Sequence, residues 1–182
     1  MKNALILLAD GFEETEALTT HDILNRTHEI IPTLCSIKDE QLVISSAGLR
    51  VIADATLGQI REEDYSFLVL PGGKKGVENL KASREVRALI ERFLASKRGV
   101  YAICAAPSIL AEMGHLDQAT YTCFPGFECG KGLYSGKEVE IDGPWITARS
   151  MGYTIPFAEA IIRKELGEEA LKRIRPGTQG LR

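Results

Sequence analysis

Residues 99–110 change from a strand pattern to a helix pattern at a single cysteine. Val100 to Ile103 is a short apolar, β-prone run, of the kind that a fully buried parallel strand shows. After Cys104 come small residues and then Pro107, which suits a first helical turn because its missing N–H has no intrahelical partner there. The pattern predicts a sharp strand-to-helix turn with the cysteine at its corner.

A cysteine at such a turn has two open interpretations. The N–H groups at the start of the following helix stabilise a thiolate and bind a developing oxyanion, which favours a reactive Cys104. Free cysteine is also among the most buried residue types, so a structural thiol fits this stretch equally well. Residues elsewhere in the chain must decide between the two.

The change from an apolar strand to a turn and a helix recurs along the chain. Strands that alternate with helices favour an α/β fold, a mostly parallel sheet with helices on both faces. A hairpin is predicted around Ala47-Gly48, and a strand, turn and strand between Val139 and Ala148. The other predicted strands are Ala4 to Ala9, Ile30 to Ile37, Phe67 to Leu70 and Ala119 to Phe124, and the helices are Ala17 to about Arg26, Asn79 to about Ser96, Pro156 to Leu166 and Glu168 to Ile174.

Bulk properties narrow the class of protein. A chain of 182 residues is expected to form a single domain over 1–182, with a loose tail over 176–182. A net charge of −3 without a basic patch argues against nucleic-acid binding, and no apolar run is long enough to span a membrane. The cysteines lack C-x-x-C spacing, so a reducing cytoplasm is the expected location.

Three turns are expected to meet at one edge of the sheet. They span 10–16, 71–73 and 102–107, and each follows a predicted strand. Sites in parallel sheets lie beyond the carboxyl ends of the strands. We therefore expect the functional site where these turns converge.

A cysteine paired with a carboxylate is the reactive arrangement that remains after other chemistries are considered. Nucleotide-binding glycine motifs and clustered metal ligands do not occur, and His115 lies about three helical turns beyond Cys104. Among the acids after the first strand, Glu13 and Glu14 are interpreted as solvated residues near a helix start. A carboxyl group beside a thiolate can hold and transfer a proton, and such a pair titrates as a unit.

Four separated motifs then point to a family. They are Asp-Gly-Phe-Glu-Glu-Thr-Glu at 10–16, Leu-Pro-Gly-Gly at 70–73, Ala-Ile-Cys-Ala-Ala-Pro at 102–107 and Thr-Ala-Arg-Ser-Met-Gly at 147–152. In order and spacing they resemble the ThiJ/PfpI superfamily, and within it the DJ-1 branch. The resemblance runs from Leu5 to about Leu166, nearly the whole chain.

The resemblance implies a flavodoxin-like three-layer sandwich that forms a homodimer and needs no cofactor or metal. By motif position, Cys104 corresponds to the nucleophile and oxidation sensor, and Glu16 to its protonated partner. The backbone N–H groups of Gly73 and Ala105 correspond to an oxyanion hole. Further positions implied are Gly72, Ala106 and Arg149 in support of the site, and His21 and Arg26 in the dimer contact.

The chain also departs from parts of the superfamily. Deglycase and glyoxalase members often carry a histidine where this chain has Phe124. Peptidase-like members place a histidine directly after the cysteine, where this chain has Ala105. The histidine–glutamate pair of amidotransferase relatives is also missing, so neither peptidase nor amidotransferase activity is expected.

Three functions remain at the level of sequence. The first is a cysteine-dependent glyoxalase or deglycase that acts on small reactive carbonyl compounds, namely methylglyoxal, glyoxal or their early adducts. The second is a redox-sensing, stress-protective protein that uses the same oxidisable cysteine without significant turnover. The third is a structural or binding domain with an inert thiol. Cys123 and Cys129 flank Phe-Pro-Gly, which allows a place near the site, but they are expected to be structural or incidental, and no role is assigned to Cys35.

Overall fold

The computed structural model describes residues 1–180 and contains a central sheet of seven strands. Their order across the sheet is β10-β11-β7-β6-β1-β2-β5, and every neighbouring pair is parallel except the antiparallel pair β10–β11. The strands are β1 (Lys2–Leu8), β2 (Ile30–Ser36), β3 (Leu42–Ile44), β4 (Arg50–Ile52), β5 (Ala55–Thr56), β6 (Phe67–Leu70), β7 (Gly99–Ile103), β8 (Thr120–Tyr121), β9 (Leu133–Tyr134), β10 (Val139–Asp142) and β11 (Trp145–Ala148).

Helices cover both faces of this sheet, which confirms the predicted three-layer α/β sandwich. The apolar residues of α1, α5 and α6 share one buried cluster with one face of the sheet, and those of α2, α3 and α4 share a second cluster with the other face. The helices are α1 (Glu14–Asn25), α2 (Lys74–Ala82), α3 (Arg84–Ala95), α4 (Pro107–Glu112), α5 (Thr154–Leu166) and α6 (Glu168–Gln179).

The helix predicted from Asn79 to about Ser96 is wrong as a single element. Two helices, α2 and α3, occupy this region and are separated at Ser83, which has an extended backbone. The Ser83 hydroxyl accepts the Val86 N–H at 3.2 Å and so starts α3. A serine cap inside a continuous apolar pattern is easily missed, because the periodicity passes through it.

The strand predicted from Ala119 to Phe124 is also shorter than expected. It pairs only over Thr120 and Tyr121. Beyond them, the Thr122 N–H donates to the Thr147 hydroxyl at 3.0 Å and the Phe124 N–H to the Cys104 carbonyl at 2.7 Å. These bonds lead the chain away from the separate β8–β9 pair and over the turn that follows β7.

The loose tail predicted over 176–182 is wrong for its first part. Helix α6 continues through Pro176 to Gln179, although a proline inside a pattern usually marks a helix end. Glu159 of α5 accepts hydrogen bonds from Arg175 at 2.7 Å and from Gln179 at 3.2 Å, which holds this last turn. The final two residues of the predicted tail, 181–182, lie outside the described residues.

The strand order brings the three predicted turns together. Strand β6 lies between β1 and β7, and all three run parallel. Their carboxyl ends, at Leu8, Leu70 and Ile103, therefore open onto the same edge of the sheet. Among residues 1–180, no helix has the length and apolar character needed to cross a membrane.

Candidate active site

Cys104 sits at the corner between β7 and α4 with a left-handed backbone, at φ +64°. Such a backbone is uncommon for a residue other than glycine and is held here by bonds on both sides. The Cys104 N–H donates to the Ala148 carbonyl at 2.9 Å, and its own carbonyl accepts the Phe124 N–H at 2.7 Å. The side chain is partly exposed, so the thiol is not sealed inside the core.

Gly72, in the turn after β6, is where Cys104 and Glu16 meet. A Cβ placed on Gly72 would lie 2.6 Å from Cys104 Cβ, 3.1 Å from its Sγ and 2.6 Å from Glu16 Oε2. The Gly72 N–H donates to the same Glu16 oxygen at 2.7 Å. The structure thus brings together the cysteine and the carboxyl group that the sequence predicted to be partners.

Glu16 has a carboxyl group that is fully buried within the first turn of α1. Burial raises the pKa of Glu16 to about 7, and the charge of Glu13 raises it further, against the lowering effect of the Gly72 N–H and of Cys104. Its second oxygen, Oε1, is buried without a nitrogen or oxygen partner. An unpaired buried oxygen favours the protonated carboxyl group, because a bare charge there is costly.

Cys104 itself is harder to ionise than the helix start alone predicts. Burial raises the pKa of the Cys104 thiol to about 12, and the neighbouring Glu16 carboxylate contributes to the rise. The nearby backbone N–H groups of Gly73 and Ala105 lower the pKa in part. The helix start is therefore not sufficient to ionise the sulfur, and the acid of Glu16 stays part of the prediction.

The two groups behave as one titrating pair. Glu16 raises the pKa of Cys104, while the hydrogen bond with Cys104 lowers that of Glu16, so the two groups share one proton over a range of pH above the first titration. When that proton is on Glu16, the sulfur is a thiolate that faces the two backbone N–H groups. A reactive thiolate is then reached by transfer of a proton across one contact rather than by release of a proton to solvent.

The Gly73 N–H can reach the sulfur because of an unusual turn. Gly73 has φ +87° and precedes α2, and a Cβ on it would lie 2.3 Å from the Gly11 carbonyl oxygen. Only glycine fits this close approach between the first and second turns. Ala105 follows the neighbouring strand β7 at the same edge of the sheet, so two N–H groups lie beside the sulfur, an arrangement suited to an oxyanion.

Two other residues, Ala106 and Arg149, were predicted to support this site. Ala106 is buried and directly precedes α4. Arg149 follows Ala148, but its guanidinium donates to the Gly136 carbonyl at 3.0 Å and lies 4.6 Å from the ring centre of Tyr153. Its side-chain contacts are therefore with the neighbouring loop rather than with the sulfur.

Helix α1 carries the two residues predicted for a dimer contact. Arg26 pairs with Asp22 at 2.8 Å on the exposed surface, and His21 is half-buried. Neither contacts the Glu16–Cys104 pair. Their role between protomers stays a prediction.

Phe124 provides no group for proton transfer, although its backbone is bound to Cys104. Its side chain is 43% exposed and lies edge-on to Phe127, with ring centres 6.3 Å apart. The carboxyl group of Glu16 is therefore the proton carrier nearest to the sulfur among the described residues.

The other three cysteines lie outside the Glu16–Cys104 pair. Burial raises the pKa of Cys35 and of Cys123 to about 12, and both are fully buried. Cys129 is half-buried, and its thiol contacts the Ser108 carbonyl at 3.7 Å. All four cysteines are free thiols. Among residues 1–180, no cluster of three or more histidine, cysteine or acidic side chains could hold a metal ion.

Glu13 is a residue beside the site whose contact the sequence analysis missed. It was expected to be a solvated acid, but its carboxylate accepts the Glu16 N–H at 2.7 Å and caps α1. An acceptor three residues before the bonded N–H is the spacing of a helix cap, and that signal could have identified it.

Comparisons with known proteins agree on one family. The model of the DJ-1/PfpI family matches residues 2–164. The chain is 36% identical to the DJ-1alpha protein of Drosophila melanogaster over 179 residues, which covers 95% of this chain and 82% of that protein. It spans only 39% of the DJ-1 homolog B of Arabidopsis thaliana, at 31% identity over 92% of this chain.

Two further matches concern activity and fold. A protein of Pyrococcus abyssi that is named a deglycase is 28% identical over 153 residues, covering 81% of this chain and 90% of that protein. The crystal structure of a DJ-1 superfamily protein of Salmonella typhimurium superposes with a TM-score of 0.91 at 32% identity, covering 98% of this chain and 97% of that one.

Proposed function

The chain belongs to the DJ-1/PfpI family, and from this premise we propose that it is a cofactor-free, cysteine-dependent enzyme for reactive carbonyl compounds. Its substrates are methylglyoxal, glyoxal or their early adducts, and its products are the corresponding hydroxy acids. The observation that carries the proposal is the meeting of Cys104 and Glu16 at Gly72. The deglycase name of the Pyrococcus abyssi relative supports the same substrate class.

The first step is addition to the aldehyde. With the shared proton on Glu16, the Cys104 thiolate attacks the aldehyde carbon of methylglyoxal and a carbon–sulfur bond forms. The oxygen that gains the negative charge is stabilised by the N–H groups of Gly73 and Ala105 and takes the proton from Glu16. The product is a neutral hemithioacetal beside an ionised Glu16.

The remaining steps move two protons and consume one water. Ionised Glu16 accepts the proton from the carbon that carries sulfur and returns it to the neighbouring carbonyl carbon, while the hydroxyl proton passes to the oxygen of that neighbouring carbon, which leaves a lactoyl thioester. Water then hydrolyses the thioester, releases lactate and restores the thiol. The sum is methylglyoxal plus water giving lactate, without a net change of oxidation state and without an external electron carrier.

Lactate production tests this proposal. The purified protein is expected to convert methylglyoxal to lactate, and Cys104→Ser to abolish the conversion. Cys129→Ser is the matched control, because Cys129 is also a half-buried free thiol and lies outside the pair. Absence of lactate with the wild-type protein, or equal yield from Cys104→Ser, contradicts the proposal.

A second candidate is an oxidation sensor at the same sulfur. Two N–H donors and a buried carboxyl group surround Cys104, and they would also bind the oxygens of a sulfinate. Two peroxide molecules would each transfer one oxygen to the sulfur and leave as water. Mild peroxide is expected to modify Cys104 first by mass spectrometry, and equal modification of all four cysteines contradicts this candidate.

Two further properties, location and oligomeric state, are proposed. The four free thiols are compatible with a reducing compartment, and we place the protein in the cytoplasm. We also propose a homodimer that uses the α1 surface with His21 and Arg26. Light scattering is expected to give about twice the chain mass of 20.0 kDa, and charge reversal at Arg26 to weaken the association.

A further inference from the structure

Three hydrogen bonds form a closed ring between the start of α1 and the turn after β6. The Glu13 N–H donates to the Gly72 carbonyl at 3.0 Å, and the Gly72 N–H donates to Glu16 Oε2 at 2.7 Å. The Glu16 N–H donates in turn to Glu13 Oε2 at 2.7 Å. Glu13 therefore contacts both the backbone that carries Glu16 and the glycine against which Glu16 and Cys104 rest.

Charge is the second property that Glu13 brings to this ring. Among the described residues, two titratable groups act on Glu16: Glu13 from its own helix, and Cys104 from the turn after β7. The turn after β6 contributes only the Gly72 N–H, and α5, which packs against α1, contributes no charge. Besides burial and the Gly72 N–H, the groups that act on Glu16 are thus one thiol and one neighbouring carboxylate.

A negative charge beside one member of a proton-sharing pair decides where the remaining charge lies. When the pair holds a single proton, its negative charge is either on Glu16 or on the sulfur. Because Glu13 is bound to the backbone of Glu16, repulsion disfavours the charge on Glu16. Among the described residues Glu16 is the one carboxyl group that acts on the sulfur, and the Gly73 and Ala105 N–H groups beside the sulfur favour its negative charge.

We propose that Glu13 is a positioning residue for this site: its carboxylate holds Glu16 beside Cys104 and directs the shared proton to Glu16 and the negative charge to the sulfur. The inference rests on the proposed role of Cys104 as a nucleophile. It goes beyond that role because it proposes that Glu13, which touches neither substrate nor sulfur, controls which of the two groups carries the negative charge.

The pH dependence of Cys104 modification separates this role from an ordinary helix cap. The probe is iodoacetamide, with the rate measured at Cys104 by mass spectrometry in the full chain. Glu13→Gln retains an oxygen that can accept the Glu16 N–H but removes the charge. In this variant we expect the midpoint pH of the Cys104 modification rate to fall by about half a unit to one unit, and the rate on the high-pH plateau to fall several-fold. The reason is that the negative charge of the pair then lies on Glu16 rather than on the sulfur.

Two variants make the test specific. Glu13→Asp retains both the charge and a favoured cap and is expected to keep the wild-type midpoint. Glu14→Gln removes a neighbouring acid that accepts a hydrogen bond from Ser46 at 3.2 Å and lies outside the ring, so it is also expected to keep the midpoint. Circular dichroism confirms that each variant is folded.

Unchanged midpoint and plateau in Glu13→Gln would overturn the proposal and leave Glu13 as a cap only. Equal shifts in Glu13→Gln and Glu14→Gln would also overturn it, since the effect would then be general surface charge. Because the assay does not depend on aldehyde turnover, this result is separate from lactate production. A protein that shows the shift but makes no lactate keeps Glu13's role and loses the proposed enzyme.

Discussion

Gly72 is the residue against which both reacting side chains rest. A Cβ there would lie 2.6 Å from both Cys104 Cβ and Glu16 Oε2, so even a methyl group would push the thiol and the carboxyl group apart. Reacting groups lose efficiency steeply when they are displaced by about 1 Å. The absence of a side chain at this position is therefore part of the proposed chemistry.

Gly72→Ala tests this contact. We expect lactate production to fall at least about tenfold, and the free energy of unfolding to fall by about 1–3 kcal/mol from overpacking. Gly58→Ala is the matched control, because the nearest atom to its Cβ is Thr56 Oγ1 at 4.0 Å. Turnover at the wild-type rate in Gly72→Ala, measured beside a urea titration, would show that the pair does not need this spacing.

At this scale the sequence predicts identities better than energies. Cys104 could be assigned to a strand-to-helix corner from Pro107 and the apolar run before it. Glu16 was selected among three acids only through the family resemblance. The cost of burial at the sulfur could not be predicted, because it depends on how closely the three turns pack around it.

Secondary-structure elements position the pair through their ends rather than their lengths. Strands β1, β6 and β7 end at one edge, and the helices after them begin there. The parallel sheet was predictable from the alternation of strands and helices. The separation of α2 and α3 at Ser83 was not, since Val77, Leu80 and Val86 continue one apolar stripe across the break.

Ser83→Ala tests whether this boundary depends on its cap. Loss of the hydroxyl leaves the Val86 N–H without its partner, and we expect the free energy of unfolding to fall by about 1 kcal/mol. Lactate production should not change, because Ser83 lies at the far end of α2 from Gly73. Ser96→Ala, at the other end of α3, is the control in a urea titration; an equal loss in both variants would contradict a specific capping role.

The whole molecule carries an energetic cost for keeping Glu16 buried. Burial raises the pKa of Glu16 to about 7, against an ordinary value of 4.5, so the folded protein releases the first proton of the Glu16–Cys104 pair only near pH 7. Between these values the folded state binds more protons than the unfolded state, so stability falls as pH rises. The loss is complete above about pH 7 and amounts to about 3 kcal/mol.

Glu16→Gln removes this titration, so a comparison with the wild-type protein measures its contribution to stability. Relative to the variant, the wild-type free energy of unfolding is expected to fall by about 3 kcal/mol between about pH 4.5 and about pH 7.5. Urea titrations of both proteins at several pH values measure the difference, in which the other titrating groups cancel. A constant difference across this range would mean that Glu16 titrates normally in the folded state.

The α/β architecture of the chain was predictable, but the continuation of α6 past Pro176 was not. Pro176 suggested a helix end, yet contacts from Arg175 and Gln179 to Glu159 carry α6 further. These contacts join residues 16 and 20 positions apart on two consecutive helices, which is beyond the reach of a helical repeat. Glu13 differs, because its cap on α1 is a contact between residues three apart and could have been predicted from that spacing.

The central claim is that Cys104 becomes a thiolate by passing its proton to Glu16. The most direct test is the rate of iodoacetamide modification at Cys104 as a function of pH, in wild type and Glu16→Gln. We predict a wild-type midpoint near 7, where the pair loses its first proton, and a midpoint above the ordinary thiol value of about 8.5 in the variant. Equal midpoints in the two proteins, or a Cys104 that reacts only after denaturation, would contradict the account.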